Sequence, residues 1–598
     1  MRLLGFILML TTLFASGCAG AAAGSPSAQG NYAAVARRLS GEIRQAMAKH
    51  KVKGLSIALV DGQDVVWAEA FGWADEAGKI PARTDTVYRV GSVSKVFTSM
   101  AVMTLAERGM LDIDVPLARY LPEFSIRSRF PESGPITLRS MMTHHSGLPS
   151  DVLKGMFVDH PLTLAQYVPT LAVESMASPV GTEFMYSNIA FSLLGRVIEK
   201  SENLPFAQAM EQLLLGPLGM DHSGFARNPA LAAHLAKGYR QGVEIPYLPL
   251  RDAPTGALMS TAEDMSLFLR FVLAKGRSGG RRVLGEQTLA SMLEQQYPGQ
   301  PLDFGHRQGL GWMLSGLALA DGEQLVWHNG AVIPFQSHLA VLPESGLGVV
   351  LLANTDEASS ILTTLGIKAL ELAKQVKFGR PAPVKKPQAL PAAVSLPSPA
   401  LDAVAGDYAM QLGLLTPVWP DGQRLSIFLW NQHLHLVPVG PAEPLSSVTF
   451  LPYTPAVFGL FSEPLPDMLI QRQVTGGREF LYRLGSPLPF ALEKIPPEPI
   501  PSAWLARLGR YAADTTGELL GFESMELYTK SGLLLAKVTI LPGDRSARRA
   551  EGTIVLRPVS EDEAVVAGVG NSTGEVVRAT PEGLYHSGYR YRLAPAAP

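Results

Sequence analysis

The chain has 598 residues, 47% of them hydrophobic and 17% charged, which is room for roughly three to five domains and too apolar for a mostly disordered chain. Lys plus Arg number 51 and Asp plus Glu 53, a formal net charge of -2, so the charge balance makes no case for nucleic acid, which needs a basic face. Cysteine occurs once, at Cys18, which excludes an internal disulfide and a thiolate-bound zinc or iron–sulfur centre.

Residues 1–18 read MRLLGFILMLTTLFASGC. Arg2 is followed by an apolar run of the length of a signal-peptide core, too short to span a bilayer. The small residues Ala15, Ser16 and Gly17 then lead to Cys18, which resembles a bacterial lipobox, with Ala15 where a leucine is usual. The expectation is a signal peptide over 1–18 and a lipid on Cys18, holding the protein at the bacterial cell envelope in a leaflet left open. A plain secretory signal is the alternative. Residues 19–31 read as a flexible tether.

The spacing of Ala36, Leu39, Ile43 and Met47 predicts an amphipathic helix over 32–50. Runs at 55–60 and 64–72 predict a hairpin turning at Asp61-Gly62. A helix over 96–108 should stop at Gly109. Helical segments and loops fill 111–276. Strand-like runs return between 325 and 354 around the turn Glu344-Ser345-Gly346, and a helix follows over about 358–377. Strands at both ends and helices between them imply one domain over 32–378, with a single sheet built from both ends.

Residues 379–400 form a proline-rich, semi-rigid linker. Beyond it lie two stretches of short alternating runs, 401–494 and 502–598, separated by a second proline cluster at 495–501. Gly406-Asp407-Tyr408 opens the first and Gly509-Arg510-Tyr511 the second; Tyr482-Arg483-Leu484 and Tyr591-Arg592-Leu593 close them. This is read as a duplicated all-β module, a small closed barrel in each copy. His433 and His435 would share one strand face and are read as solvated rather than as metal ligands. No H-E-x-x-H spacing occurs, and no metal or cofactor is expected.

Ser92-Val93-Ser94-Lys95 is an S-x-x-K. At a helix N-terminus, Lys95 would lie one turn from Ser92 on the same face, its ammonium beside the hydroxyl, with free N–H groups and positive helix charge adding to the activation. Tyr186-Ser187-Asn188 is a Y-x-N, and His328-Asn329-Gly330 is an H-x-G opening a strand-like segment. The three motifs in this order, with Val87-Tyr88-Arg89-Val90-Gly91 before the serine and Thr143-His144-His145-Ser146-Gly147-Leu148 between, resemble the serine β-lactamase-like superfamily. That group includes class C β-lactamases, D,D-peptidases, D-aminopeptidases and related esterases. The likeness covers about 32–378.

The resemblance implies an α/β (α+β) catalytic domain, an antiparallel sheet flanked by helices with a helical subdomain, followed here by two barrel-like modules. It implies Ser92 as nucleophile and Lys95 with Tyr186 as the proton relay. Tyr186 would be the base, its pKa lowered by the Lys95 charge. Asn188 would hold Lys95 and a substrate amide, and the backbone N–H groups of Ser92 and Ala331 would form the oxyanion hole. His144-His145 then reads as loop structure. Class C β-lactamases carry lysine where this chain has His328. A histidine of ordinary pKa, about 6.5, is mostly neutral at pH 7 and charged on mild acidification. Pro334-Phe335 stands where relatives often have Gly-Phe, so the substrate edge of that strand is expected to differ. The implied function is a serine hydrolase of small peptide, amide or ester substrates, D-aminopeptidase-like or esterase-like. A β-lactamase or D,D-carboxypeptidase, or a non-catalytic envelope-binding lipoprotein, are the alternatives. The modules would narrow the active-site mouth or bind the envelope, and the oligomeric state is left open.

Overall fold

A computed structural model describes residues 32–381, 391–429, 432–440, 448–453, 468–486, 489–542 and 549–595. Cys18, the signal-like segment, the tether and part of the proline-rich stretch lie outside the described residues. Strands β1 (Gly54–Asp61), β2 (Asp64–Asp75), β3 (Ile80–Pro81), β4 (Val326–Val332), β5 (Phe335–Leu342) and β6 (Leu347–Ala353) form one sheet in the order 4-5-6-1-2-3. Every pairing is antiparallel, and β1 meets β6 from Leu55↔Ala353 to Asp61↔Leu347, joining the two ends of the domain. Asp61 pairs with Asp64, so the β1–β2 turn is Gly62-Gln63, one residue beyond the expected dipeptide; Gly62 supplies the left-handed φ of +57°.

Both faces of this sheet are covered, and that sets its composition. Leu55, Ile57 and Leu59 of β1 point to helices α1 (Tyr32–His50) and α5 (Ser359–Phe378). Ala58 and Val60 point the other way, into the core shared by α2 (Ser94–Glu107), α3 (Asn188–Glu202) and α4 (Ala262–Leu273), of which α4 packs directly on β1. Helix α1 is one-sided, with Leu39, Ile43 and Met47 buried as their spacing predicts, and with Val35 buried where the spacing predicts Ala36; Ala36 is only partly buried. Helix α2 is different: Ser94 through Leu105 are all buried, so it runs through the middle of the domain.

Among the described residues, two closed barrels of eight antiparallel strands follow, the first from Gly406–Ala409 to Ala491–Lys494 and the second from Gly509–Ala513 to Tyr589–Leu593. The Gly-x-Tyr signature does the same job in each. Tyr408 donates its hydroxyl to the Val404 carbonyl at 2.6 Å and Tyr511 to that of Arg507 at 2.8 Å. Gly406 and Gly509 have φ of +151° and +142°. The glycine turns the chain out of a short helical segment, and the tyrosine ties the first strand back to it.

The second barrel docks on the first domain along 150–155. Ser150 N donates to Glu575 Oε1 at 2.9 Å, Ser572 N to Ser150 Oγ at 2.8 Å and Leu153 N to Ser587 Oγ at 3.0 Å. The barrels clasp each other through Glu493, 1% exposed, which accepts Arg478 of its own barrel and Arg557 of the other. Breaking such a buried ion pair typically costs about 3–5 kcal/mol.

Candidate active site

Gly91–Val93 is a single 3-10 turn that runs into α2, so Ser92 sits at a helix start. Ser92 is partly exposed, whereas Lys95, one turn on, is wholly buried. Lys95 Nζ donates to Ser92 Oγ at 3.1 Å and to the Thr255 carbonyl at 3.0 Å. Burial pushes the lysine down to about 7, against the opposing charges of Asp151 and Asp252.

The edge strand β4 lies against this turn, and two glycines permit the approach. A Cβ on Gly330 would fall 1.9 Å from the Val90 carbonyl oxygen, and one on Gly91, whose φ is +55°, would fall 2.5 Å from Ala331 N. The glycine of H-x-G is therefore a steric requirement, and Ala331, the expected oxyanion donor, stands beside the residue that precedes Ser92. His328 is buried on β4. Its Nδ1 lies 2.6 Å from the Asn329 carbonyl; a carbonyl only accepts, so Nδ1 carries the proton and Nε2 is left as an acceptor. Burial, helped by the Lys95 charge, pushes His328 down to about 3. This corrects the expectation of a histidine charged by mild acid.

Tyr186 enters from the start of α3, its ring 4.8 Å from Lys95 Nζ. Ser187 caps that helix, accepting from Ala190 N at 3.1 Å and donating to the Pro149 carbonyl at 2.6 Å. His144 stacks on the Tyr186 ring at 4.1 Å, and its Nδ1 accepts from Ser187 N at 3.0 Å. His145 Nε2 meets Asp303 Oδ2 at 3.0 Å, and Asp303 Oδ1 accepts from Phe184 N at 2.7 Å. The histidine pair thus sets the position of the 184–187 segment.

Two expectations fail here. Burial pushes the Tyr186 hydroxyl above the usual phenol range; the Ser92 hydroxyl pulls it down and the Asp151 charge pushes it up further. Its oxygen finds no partner in hydrogen-bond geometry, although Ser92 is near enough to exert that pull. The expected lowering by the Lys95 charge is therefore absent, and burial dominates. Asn188 Nδ2 donates to Asp151 Oδ1 at 2.8 Å, and both hydrogen bonds of Lys95 go elsewhere.

The family model for Beta-lactamase matches residues 39–371, more than half of the chain. The chain belongs to the beta-lactamase family. Protein flp of Staphylococcus aureus strain MRSA252 is 26% identical over 318 residues, 52% of this chain and 61% of that protein. Unguisins hydrolase ungD' of Aspergillus campestris is 24% identical over 361 residues, 56% of this chain and 66% of that protein. The chain thus spans about three-fifths to two-thirds of the length of these curated relatives. The octameric penicillin-binding protein homologue from Pyrococcus abyssi shares the fold, with a TM-score of 0.50 at 24% identity over 77% of this chain and 100% of that one.

Several groups at this beta-lactamase-family site were not singled out by motif. Asp151 follows the G-L-P turn of residues 147–149 and is pushed up to about 6, chiefly by burial. Asp252 is clamped by Arg251, Nη2 to Oδ2 at 2.8 Å, and accepts from Ser192 Oγ at 2.9 Å. Glu575 arrives from the second barrel and is pushed up to about 8 by burial, with Asp151 and Glu174 adding to the rise. The H-S-G-L-P run and the Arg-Asp pair were available as signals; nothing local marks Glu575. Pro334 sits in the β4–β5 turn, where a Cβ on Gly238 would meet its ring at 2.4 Å. Ile333 beside it packs with Leu520 and Ile540 of the second barrel.

His433 and His435 are not the solvated pair expected of them. His433 stacks on Trp419 at 5.5 Å, and His435, 8% exposed, meets Ser426 Oγ at 3.0 Å and Asp421 Oδ2 at 3.3 Å. Among the described residues, no group of three or more His, Cys, Asp or Glu is arranged to hold a metal ion, and no helix is long and apolar enough to cross a membrane.

Proposed function

We propose that this chain is a serine hydrolase that acts on amide or ester bonds through an acyl-enzyme on Ser92. The reading rests on a partly exposed hydroxyl 3.1 Å from a buried lysine that titrates near neutrality. About half of Lys95 is then a neutral amine at pH 7, able to take the Ser92 proton as the oxygen adds to the substrate carbonyl. Tyr186, kept as a neutral phenol by burial, gives its proton to the leaving amine or alkoxide as that bond breaks, and Lys95 reprotonates it. Water then adds to the acyl ester by the same relay in reverse, releasing the acid and restoring Ser92. The Ser92 and Ala331 N–H groups would hold the oxyanion; such a donor is typically worth about 2.7–4 kcal/mol.

His328 sets the preference within this class. Being neutral with its proton on Nδ1, it offers a carboxylate neither charge nor a hydrogen bond from Nε2, but it can accept from an N–H. That favours neutral esters and N-terminal amino-acid amides, esterase-like or D-aminopeptidase-like activity, over β-lactams and peptides ending in a free carboxylate. Cys18, at the end of its signal-like segment, is the proposed lipid anchor at the cell envelope.

An acylating serine-hydrolase probe read by intact mass tests the mechanism. Wild type should gain one adduct, and Ser92→Ala, folded by circular dichroism, none. Labelling of neither protein would overturn it in favour of a non-catalytic binding role, and equal labelling of both would move the nucleophile away from Ser92.

A further inference from the structure

A cavity of about 50 Å³ lies where the catalytic domain and both barrels meet. Its apolar wall is Leu153 from the catalytic domain, Leu414 from the first barrel, and Phe522, Ile540, Ile554 and Val566 from the second. Leu414 forms a backbone bridge to Ile554, so its place in that wall is held by the main chain. Asp151, Ser572, Glu575, His586 and Ser587 supply its polar lining. Asp151 is the same residue that accepts the Asn188 side chain, two positions from Tyr186. Asp151 thus belongs both to the cavity lining and to the hydrogen bonds of the candidate active site.

We infer that this inter-module cavity receives a short aliphatic group on the acyl part of the substrate, and that the barrels thereby set acyl-chain specificity. The proposal rests on the acyl-enzyme reading above. Three physical arguments converge. A water needs roughly 10–15 Å³ by this measure, so the space suits about three to five waters, or a propyl or butyl chain. Waters against the apolar wall, away from the polar lining, would find few partners, so an aliphatic group displaces them there favourably. The acyl part stays on the serine through both chemical steps while the leaving group must escape. A recess suits the part that stays.

Each methylene moved from water into such a space is worth about a fourfold gain in kcat/KM. From p-nitrophenyl acetate to butanoate, wild type should gain about fifteenfold. Leu414→Phe, which fills the cavity, should bring that ratio close to one; Leu414→Ala, which enlarges it, should move the optimum to longer acyl chains. Ratios unchanged in both variants would overturn the proposal. Titration of pentanamide and acetamide into folded Ser92→Ala separates this inference from its parent. Tighter pentanamide binding that Leu414→Phe abolishes would support the cavity even if wild type hydrolysed no ester. Equal binding of the two amides would sink it even if hydrolysis were robust.

Discussion

Replacing Lys95 by methionine should remove hydrolysis and stabilise the fold at the same time. Lys95 titrates at about 7 in the fold against 10.5 for an ordinary lysine. The folded state therefore binds fewer protons than the unfolded chain between those values, so stability rises with pH across that window. Below about pH 7, where both states are protonated, the buried charge opposes folding by on the order of 5 kcal/mol. Methionine keeps the buried stem and removes the charge. It also removes the hydrogen bonds to Ser92 and the Thr255 carbonyl, and a stranded buried acceptor costs about 1–3 kcal/mol. The expected net gain for Lys95→Met is about 2–4 kcal/mol at pH 6, fading towards zero or reversing by about pH 10. The assay is urea unfolding of both proteins at pH 6, 8 and 10, followed by tryptophan fluorescence. A variant no more stable at pH 6, or a difference that ignores pH, would show that burial does not hold the lysine near neutrality. The same titration should appear in kcat/KM for a neutral ester, which should rise with pH and level off above about 7, falling roughly tenfold between pH 7 and pH 5.7.

Tyr186→Phe and Lys95→Ala should each lower kcat by about 10²–10⁴-fold, and the double variant should be little worse than either single, because one relay fails whichever member is lost; losses that multiply would separate their roles. For a matched pair of neutral and carboxylate-bearing esters, wild type should prefer the neutral member equally at pH 7 and pH 6, since His328 stays uncharged over that range. His328→Lys should shift kcat/KM towards the carboxylate member, and a wild-type preference for the carboxylate would refute the histidine argument. Expressed in a bacterial host, Cys18→Ser should move the protein from the membrane to the soluble fraction; retention after a salt wash would refute lipid anchoring.

What the sequence determined by itself is local. The S-x-x-K spacing makes a hydrogen bond because three residues are close to one helical turn, and it does so once Gly91–Val93 runs into α2. The two Gly-x-Tyr signatures carried the module duplication for the same reason, since each tyrosine bonds a carbonyl four residues back. The helix over 32–50 and the strands at both ends of the domain followed from apolar spacing alone. The tertiary structure decided what depends on solvent and on distant chain. Lys95, Tyr186 and His328 titrate away from their ordinary values because other segments exclude water from them. Those segments include β4, α3 and the Thr255 turn, and no motif encodes their joint effect. Asn188 turned to Asp151 rather than to Lys95. Glu575 reached Ser150 from the far end of the chain. Spacing along a chain fixes neighbours within a turn or a strand pair, whereas desolvation is a sum over everything that packs around a group, and only the folded molecule performs that sum.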